Sequence, residues 1–138
     1  MKIKQDFVTN SSSTSFVLSV KKDFSKDLFY KNIGIQGDFE LDFIFEELFD
    51  AINYNKNLIE PYIKKHYPEY TIPEFLLKQR FDQTTATLIM EKINMGETVY
   101  YGELSTEHGD TLTESFFCCE SFIICGEDIY LNCEENGW

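Results

Sequence analysis

Residues 96–105 read Gly96-Glu97-Thr98-Val99-Tyr100-Tyr101-Gly102-Glu103-Leu104-Ser105, and here the hydrophobic period of the chain changes. Before Gly96 the apolar residues recur at helical spacing. From Thr98 to Leu104 the β-branched and aromatic residues crowd together in the manner of a strand. Gly96 suits a helix stop, because a glycine tolerates the left-handed residue that commonly ends a helix. Downstream, Leu112 to Glu120 and Ser121 to Cys125 read as further strands, and Ile129 to Cys133 as a return strand. Gly126-Glu127-Asp128 between the last two is a tight turn, so this pair is the clearest hairpin.

Upstream, the apolar positions Leu41, Ile44, Phe45, Leu48, Phe49 and Ile52 follow the i, i+3, i+4, i+7 template and predict a helix over 39–54, with Asp38 as its cap. A short helix is expected over 57–66, ended by His66, Tyr67 and Pro68. Thr71, Pro73 and Glu74 form a helix-start signal, with threonine as N-cap and an acid at N3. That helix is expected to run over 73–94, weakened in its middle by Thr84, Thr85 and Thr87. Ser25 can cap another short helix over 25–33. Residues 15–21, Ser-Phe-Val-Leu-Ser-Val-Lys, read as a strand that joins the later sheet. The expected fold is α+β: an N-terminal strand, a helical middle over about 25–95, and a C-terminal antiparallel meander of three or four strands. The 138 residues make one domain's worth of chain, with neither an internal repeat nor an interdomain linker.

Charge is the main pointer to function. The chain carries 12 basic and 24 acidic residues, for a formal net charge of −12. No lysine or arginine follows Lys92, whereas ten carboxylates lie between Glu97 and Glu135. Unpaired acidic charge repels itself and is kept for solubility or for a positively charged partner. Direct nucleic-acid binding is disfavoured, since it needs a basic face to displace counterions from phosphates. Residues two apart on a strand share a face, so Glu97, Tyr101 and Glu103 have the parity of one surface. The candidate partner-binding residues are therefore Glu97, Tyr101, Glu103, Glu107, Asp110 and Glu114. A second acidic patch comprises Glu40, Asp42, Glu46, Glu47 and Asp50, which have no basic residue on their own segment. An acidic, aromatic-bearing face can imitate the phosphates of a duplex and compete for a basic groove.

Signals for catalysis or cofactors are weak. The four cysteines Cys118, Cys119, Cys125 and Cys133 contain no Cys-x-x-Cys pair, and His66 and His108 lie outside their cluster. Zinc requires four converging N or S ligands, whereas adjacent strand residues such as Cys118 and Cys119 point apart. The thiols read as small hydrophobes. Glu107-His108-Gly109-Asp110 has metal-binding residue types, but it reads as a solvated turn. Neither a Gly-rich phosphate loop nor a nucleophile elbow is present. No metal or other cofactor is expected.

The segment Asp6-Phe7-Val8-Thr9-Asn10-Ser11-Ser12-Ser13-Thr14-Ser15-Phe16-Val17 resembles a serine-rich start, roughly D-F-V-T-N-S-S-S-S-S-F, shared by small bacterial and phage proteins. Thr14 replaces one serine. The resemblance covers about the first twenty residues and implies a bacterial or phage origin, with no chemistry attached. By residue type, the serine run is a loop feeding the first strand. Its alternative, an anion-binding nest, normally uses glycines, which the run lacks.

No apolar run approaches the roughly 20 residues that span a bilayer. No signal peptide is apparent, so a cytoplasmic protein is expected. The expectation from sequence is a non-enzymatic acidic binding protein, an inhibitor of the anti-CRISPR kind that blocks a basic nucleic-acid-binding groove of a defence protein. The alternatives are a Cys/His metal protein or small enzyme, and a homo-oligomeric assembly subunit with exposed Phe and Tyr.

Overall fold

In the strand Ser13–Val20 (β1), Thr14 to Val20 are all shielded from solvent, because the strand is paired on both edges and covered on both faces. The computed structural model describes residues 13–33, 42–105 and 122–135. The further elements are α1 (Lys26–Ile33), α2 (Asp42–Asn55), β2 (Asn57–Leu58), α3 (Ile59–His66), α4 (Ile72–Lys78), α5 (Gln83–Asn94), β3 (Thr98–Ser105), β4 (Phe122–Cys125) and β5 (Ile129–Glu135). The fold is α+β. Among the described residues its sheet has five antiparallel strands in the order β2-β3-β1-β5-β4.

This order corrects the expected meander. Leu18 of β1 pairs with Tyr100 of β3 on one side and with Leu131 of β5 on the other, so β1 separates β3 from the later β4–β5 hairpin. Among the described residues, β4 and β5 form the expected hairpin, with Cys125 opposite Tyr130. The segment 112–120, read as a strand, lies outside the described residues.

Strand alternation sorts the two faces. Phe16, Leu18 and Val20 meet Leu104, Ile129, Leu131 and Cys133 beneath α1 and α2. Val17, Val99, Tyr101 and Tyr130 point the other way, beneath α3, α4 and α5. The sheet is thus the middle of three layers. On the first face, Gly102 leaves space for its neighbours. A Cβ there would stand 2.5 Å from the Asn55 carbonyl oxygen and 2.5 Å from the Phe16 ring, so a side chain is excluded.

Three local signals act as expected, whereas Asn57 and Leu58, read as the start of a helix, form β2 ahead of α3, and the Asp38 cap lies outside the described residues. Ser25 Oγ accepts from the Leu28 amide at 3.1 Å. Thr71 and Glu74 form a reciprocal capping box at the head of α4. Gly96 follows α5 with φ of +89°. The helix expected over 73–94 is divided, however, and the division falls at residues 79–82 rather than at the threonines. Asp82 caps α5 by accepting from the Thr85 amide at 2.8 Å, and Thr85 itself is buried in the helix. Hydrogen bonding to the Thr85 backbone holds the Asp82 carboxyl below the usual carboxylate range. No helix among the described residues is long and apolar enough to cross a membrane.

Candidate functional site

The most polar interior region lies where the α4–α5 corner covers one end of the sheet. Cross-strand register sets Glu103, Ser15 and Glu134 in one row across β3, β1 and β5, and Tyr101, Val17 and Asn132 in the next. Tyr101 is 1% exposed, and its Oη lies 3.1 Å from Ser15 Oγ, 3.1 Å from Glu103 Oε2 and 3.3 Å from Gln79 Oε1. A phenol has one hydrogen to give, and the Glu103 carboxylate is the strongest acceptor within reach. Ser15 can then donate to the phenol oxygen. Burial pushes the Tyr101 phenol far above its ordinary value, and the Glu103 charge adds to this against the opposing hydrogen bond from Ser15. The group therefore stays protonated and serves as a hydrogen-bonding post, not as a base.

Two strands from Tyr101, across β1, Asn132 is 5% exposed and donates from Nδ2 to Thr85 Oγ1 at 3.1 Å and to Tyr130 Oη at 2.9 Å. Beside it opens a cleft of about 490 Å³ lined by Arg80, Asp82, Thr85, Ile123, Asn132 and Glu134. At the other end of the same face, Glu97 Oε1 accepts from Ser19 Oγ at 2.9 Å and lies 3.6 Å from Lys92 Nζ. The Glu97 side chain is only 6% exposed, and its Oε2 has no hydrogen-bond partner.

These contacts relocate two of the sequence candidates. Glu97, just ahead of β3, and Tyr101 and Glu103 within it do lie on one side of the sheet, but α3, α4 and α5 cover most of that side. Tyr101 and the Glu97 carboxylate are consequently interior groups with internal partners, and only Glu103 is exposed. Within α2, Glu46 and Asp50 are exposed and Glu47 is half-buried, whereas Asp42 is the first helical residue and its side chain is not described. Glu46 pairs with Lys26 at 3.0 Å. Glu40, Glu107, Asp110 and Glu114 lie outside the described residues, as do His108, Cys118 and Cys119. Cys125 is an exposed free thiol and Cys133 a buried one, and among the described residues no group of three or more His, Cys, Asp or Glu is placed to hold a metal ion.

Sequence reading missed Ser15, Gln79, Arg80, Thr85 and Asn132 as members of one constellation. Four separate segments contribute them, so no local spacing announces it. The available signal was the pair of serines, Ser15 and Ser19, alternating with apolar residues in a strand that was assigned to the sheet. Comparison with protein-family models, curated proteins and solved structures finds no match to this chain.

Proposed function

We propose that this protein acts by presenting acidic surface to a basic, nucleic-acid-binding protein. The observation that carries this reading is the sequence of α2, which holds four carboxylates, Asp42, Glu46, Glu47 and Asp50, and no lysine or arginine. Positions 42, 46 and 50 fall one helical turn apart, at a rise of about 6 Å each. Like charges at this spacing cost an isolated helix roughly 0.2–0.5 kcal/mol per pair, so the stripe opposes helix stability and needs another use. The Lys26–Glu46 pair offsets only part of it. The exposed Glu46 and Asp50, one turn apart on α2, present negative charge that suits a groove built for a phosphate backbone. In its most concrete form, the reading is of an inhibitor from a phage or mobile element that occupies the groove of a host defence protein, as anti-CRISPR proteins do. The N-terminal resemblance and the net charge of −12 support that form.

The test is the triple charge reversal Glu46→Lys, Glu47→Lys and Asp50→Lys, with folding checked by circular dichroism. Wild-type protein is expected to capture a nucleic-acid-binding partner from a host lysate and to release it to competing duplex DNA. Release is also expected as salt shortens the screening length below about 8 Å. The reversed variant should capture nothing. Equal capture by both proteins, or capture indifferent to salt and DNA, refutes the reading.

A further inference from the structure

Arg80 stands where the same molecule elsewhere uses glycine. Both α4 and α5 end in a two-bond cap that needs a left-handed residue. After α5, the Gly96 amide donates to the Ile93 carbonyl and the Glu97 amide to the Lys92 carbonyl, each at 3.0 Å. After α4, the Arg80 amide donates to the Leu77 carbonyl at 3.1 Å and the Phe81 amide to the Leu76 carbonyl at 3.0 Å. Gly96 has φ of +89° and Arg80 has φ of +79°, the one positive value at a non-glycine among the described residues. A left-handed backbone is unfavourable for a residue with a Cβ, so arginine here costs stability that glycine would not. Backbone strain of this kind clusters at sites where the side chain is used.

The Arg80 side chain lines the 490 Å³ cleft, a volume within the range of about 300–1,000 Å³ typical of small-molecule sites. Its guanidinium makes no ion pair among the described residues. The same lining supplies carboxylates: Glu134, half-buried and without an ion pair among the described residues, and Asp82, of which Oδ1 serves the helix cap. Asn132, nearly enclosed and fixed by Thr85 and Tyr130, adds a rigid polar wall, and Ile123 an exposed apolar one. A simple anion would meet two carboxylates, and a simple amine would leave the guanidinium unanswered. A ligand that carries both charges meets both.

We propose that this cleft binds a small zwitterion of the α-amino-acid class with an apolar side chain. Arg80 takes its carboxylate in a fork, Glu134 takes its ammonium, and Ile123 meets its side chain. The site is separate from the acidic stripe, since α2 packs on the other face of the sheet.

Titration of the full chain with leucine, followed by ¹H–¹⁵N correlation spectra, tests the proposal. Saturable shifts are expected at residues 80–85 and 132–134. Isopentylamine, which lacks the carboxylate, and N-acetylleucine, which lacks the ammonium, should each bind at least about tenfold more weakly, the loss of one charge-assisted hydrogen bond. Arg80→Gly should raise the melting temperature while abolishing the leucine shifts, and Glu134→Gln should weaken leucine without changing the melting temperature. Absence of saturable shifts with leucine overturns the proposal. So does unchanged leucine binding by either variant, or a truncated probe that binds as tightly as leucine.

Discussion

The two faces of the sheet are equally well buried and chemically unlike. On the α1–α2 side, Phe16, Leu18, Leu104, Leu131 and Cys133 form an apolar contact surface. On the α3–α5 side, Ser15, Ser19, Tyr101 and Asn132 lie as deep, and each finds a polar partner. A dry face depends on volume, because each apolar group displaces water and any shape that fills the space contributes. A polar face depends on pairing, because a buried donor or acceptor without its partner costs more than the bond itself contributes. The first face therefore supplies stability, while the second fixes which helix corner meets which strand end. The cleft opens on the second.

Substitutions separate the two kinds of dependence. The largest effect is expected from Phe16→Ala on the dry face, which removes a fully buried ring from the central strand and should cost about 3–5 kcal/mol in urea unfolding. A loss under about 1 kcal/mol would mean that this face is loosely packed.

Tyr101→Phe on the polar face keeps the ring and its edge-on contact with Phe75, 4.9 Å between centroids, and deletes only the hydroxyl. It should cost about 1–2 kcal/mol at neutral pH, because the Glu103 carboxylate loses the phenol as a donor and the Ser15 hydroxyl loses it as an acceptor. The same variant carries a pH signature. Because the folded phenol is held above the ordinary value of 10.0, its contribution is fully present below pH 10 and is lost as the pH rises beyond it, where the unfolded chain ionises first. Wild-type stability should fall between pH 9 and pH 11 more steeply than that of Tyr101→Phe. Parallel pH profiles would show that the phenol is not buried in solution.

Cys133→Ala is expected to have the smallest effect, about 1 kcal/mol or less, since the thiol acts as a small hydrophobe on the dry face. Burial pushes the Cys133 thiol up, so a thiol reagent should label exposed Cys125 in the native protein and Cys133 only on unfolding. Equal labelling rates would contradict the assignment of Cys133 to the interior.

Much of the local structure was legible because its causes are local. Ser25, the Thr71–Glu74 box, Gly96 and the turn at Gly126 each act through neighbours within a few residues. The division between α4 and α5 was misplaced because its left-handed residue is Arg80, a residue type that carries no stop signal. The middle threonines, read as weak points, lie instead within α5, where Thr85 meets Asn132. Of the candidate site, the shared parity of Glu97, Tyr101 and Glu103 was correct, but the solvent exposure inferred from it holds for Glu103 alone. Parity is a property of one strand, whereas exposure depends on what other segments bring over it.

By itself, the sequence determined most of the described helices and strands, the caps at Ser25 and Thr71, the stop at Gly96, the hairpin turn at Gly126 and the surplus of acidic charge. Each follows from backbone preference, side-chain spacing or composition over short stretches of chain. Only the tertiary structure decided that β1 stands between β3 and β5, that helices cover both faces, and that Arg80, Asn132 and Glu134 line one cleft. Those are pairings across tens of residues, selected by which hydrogen-bonding edges and apolar faces can be satisfied together, and no local pattern encodes that joint condition.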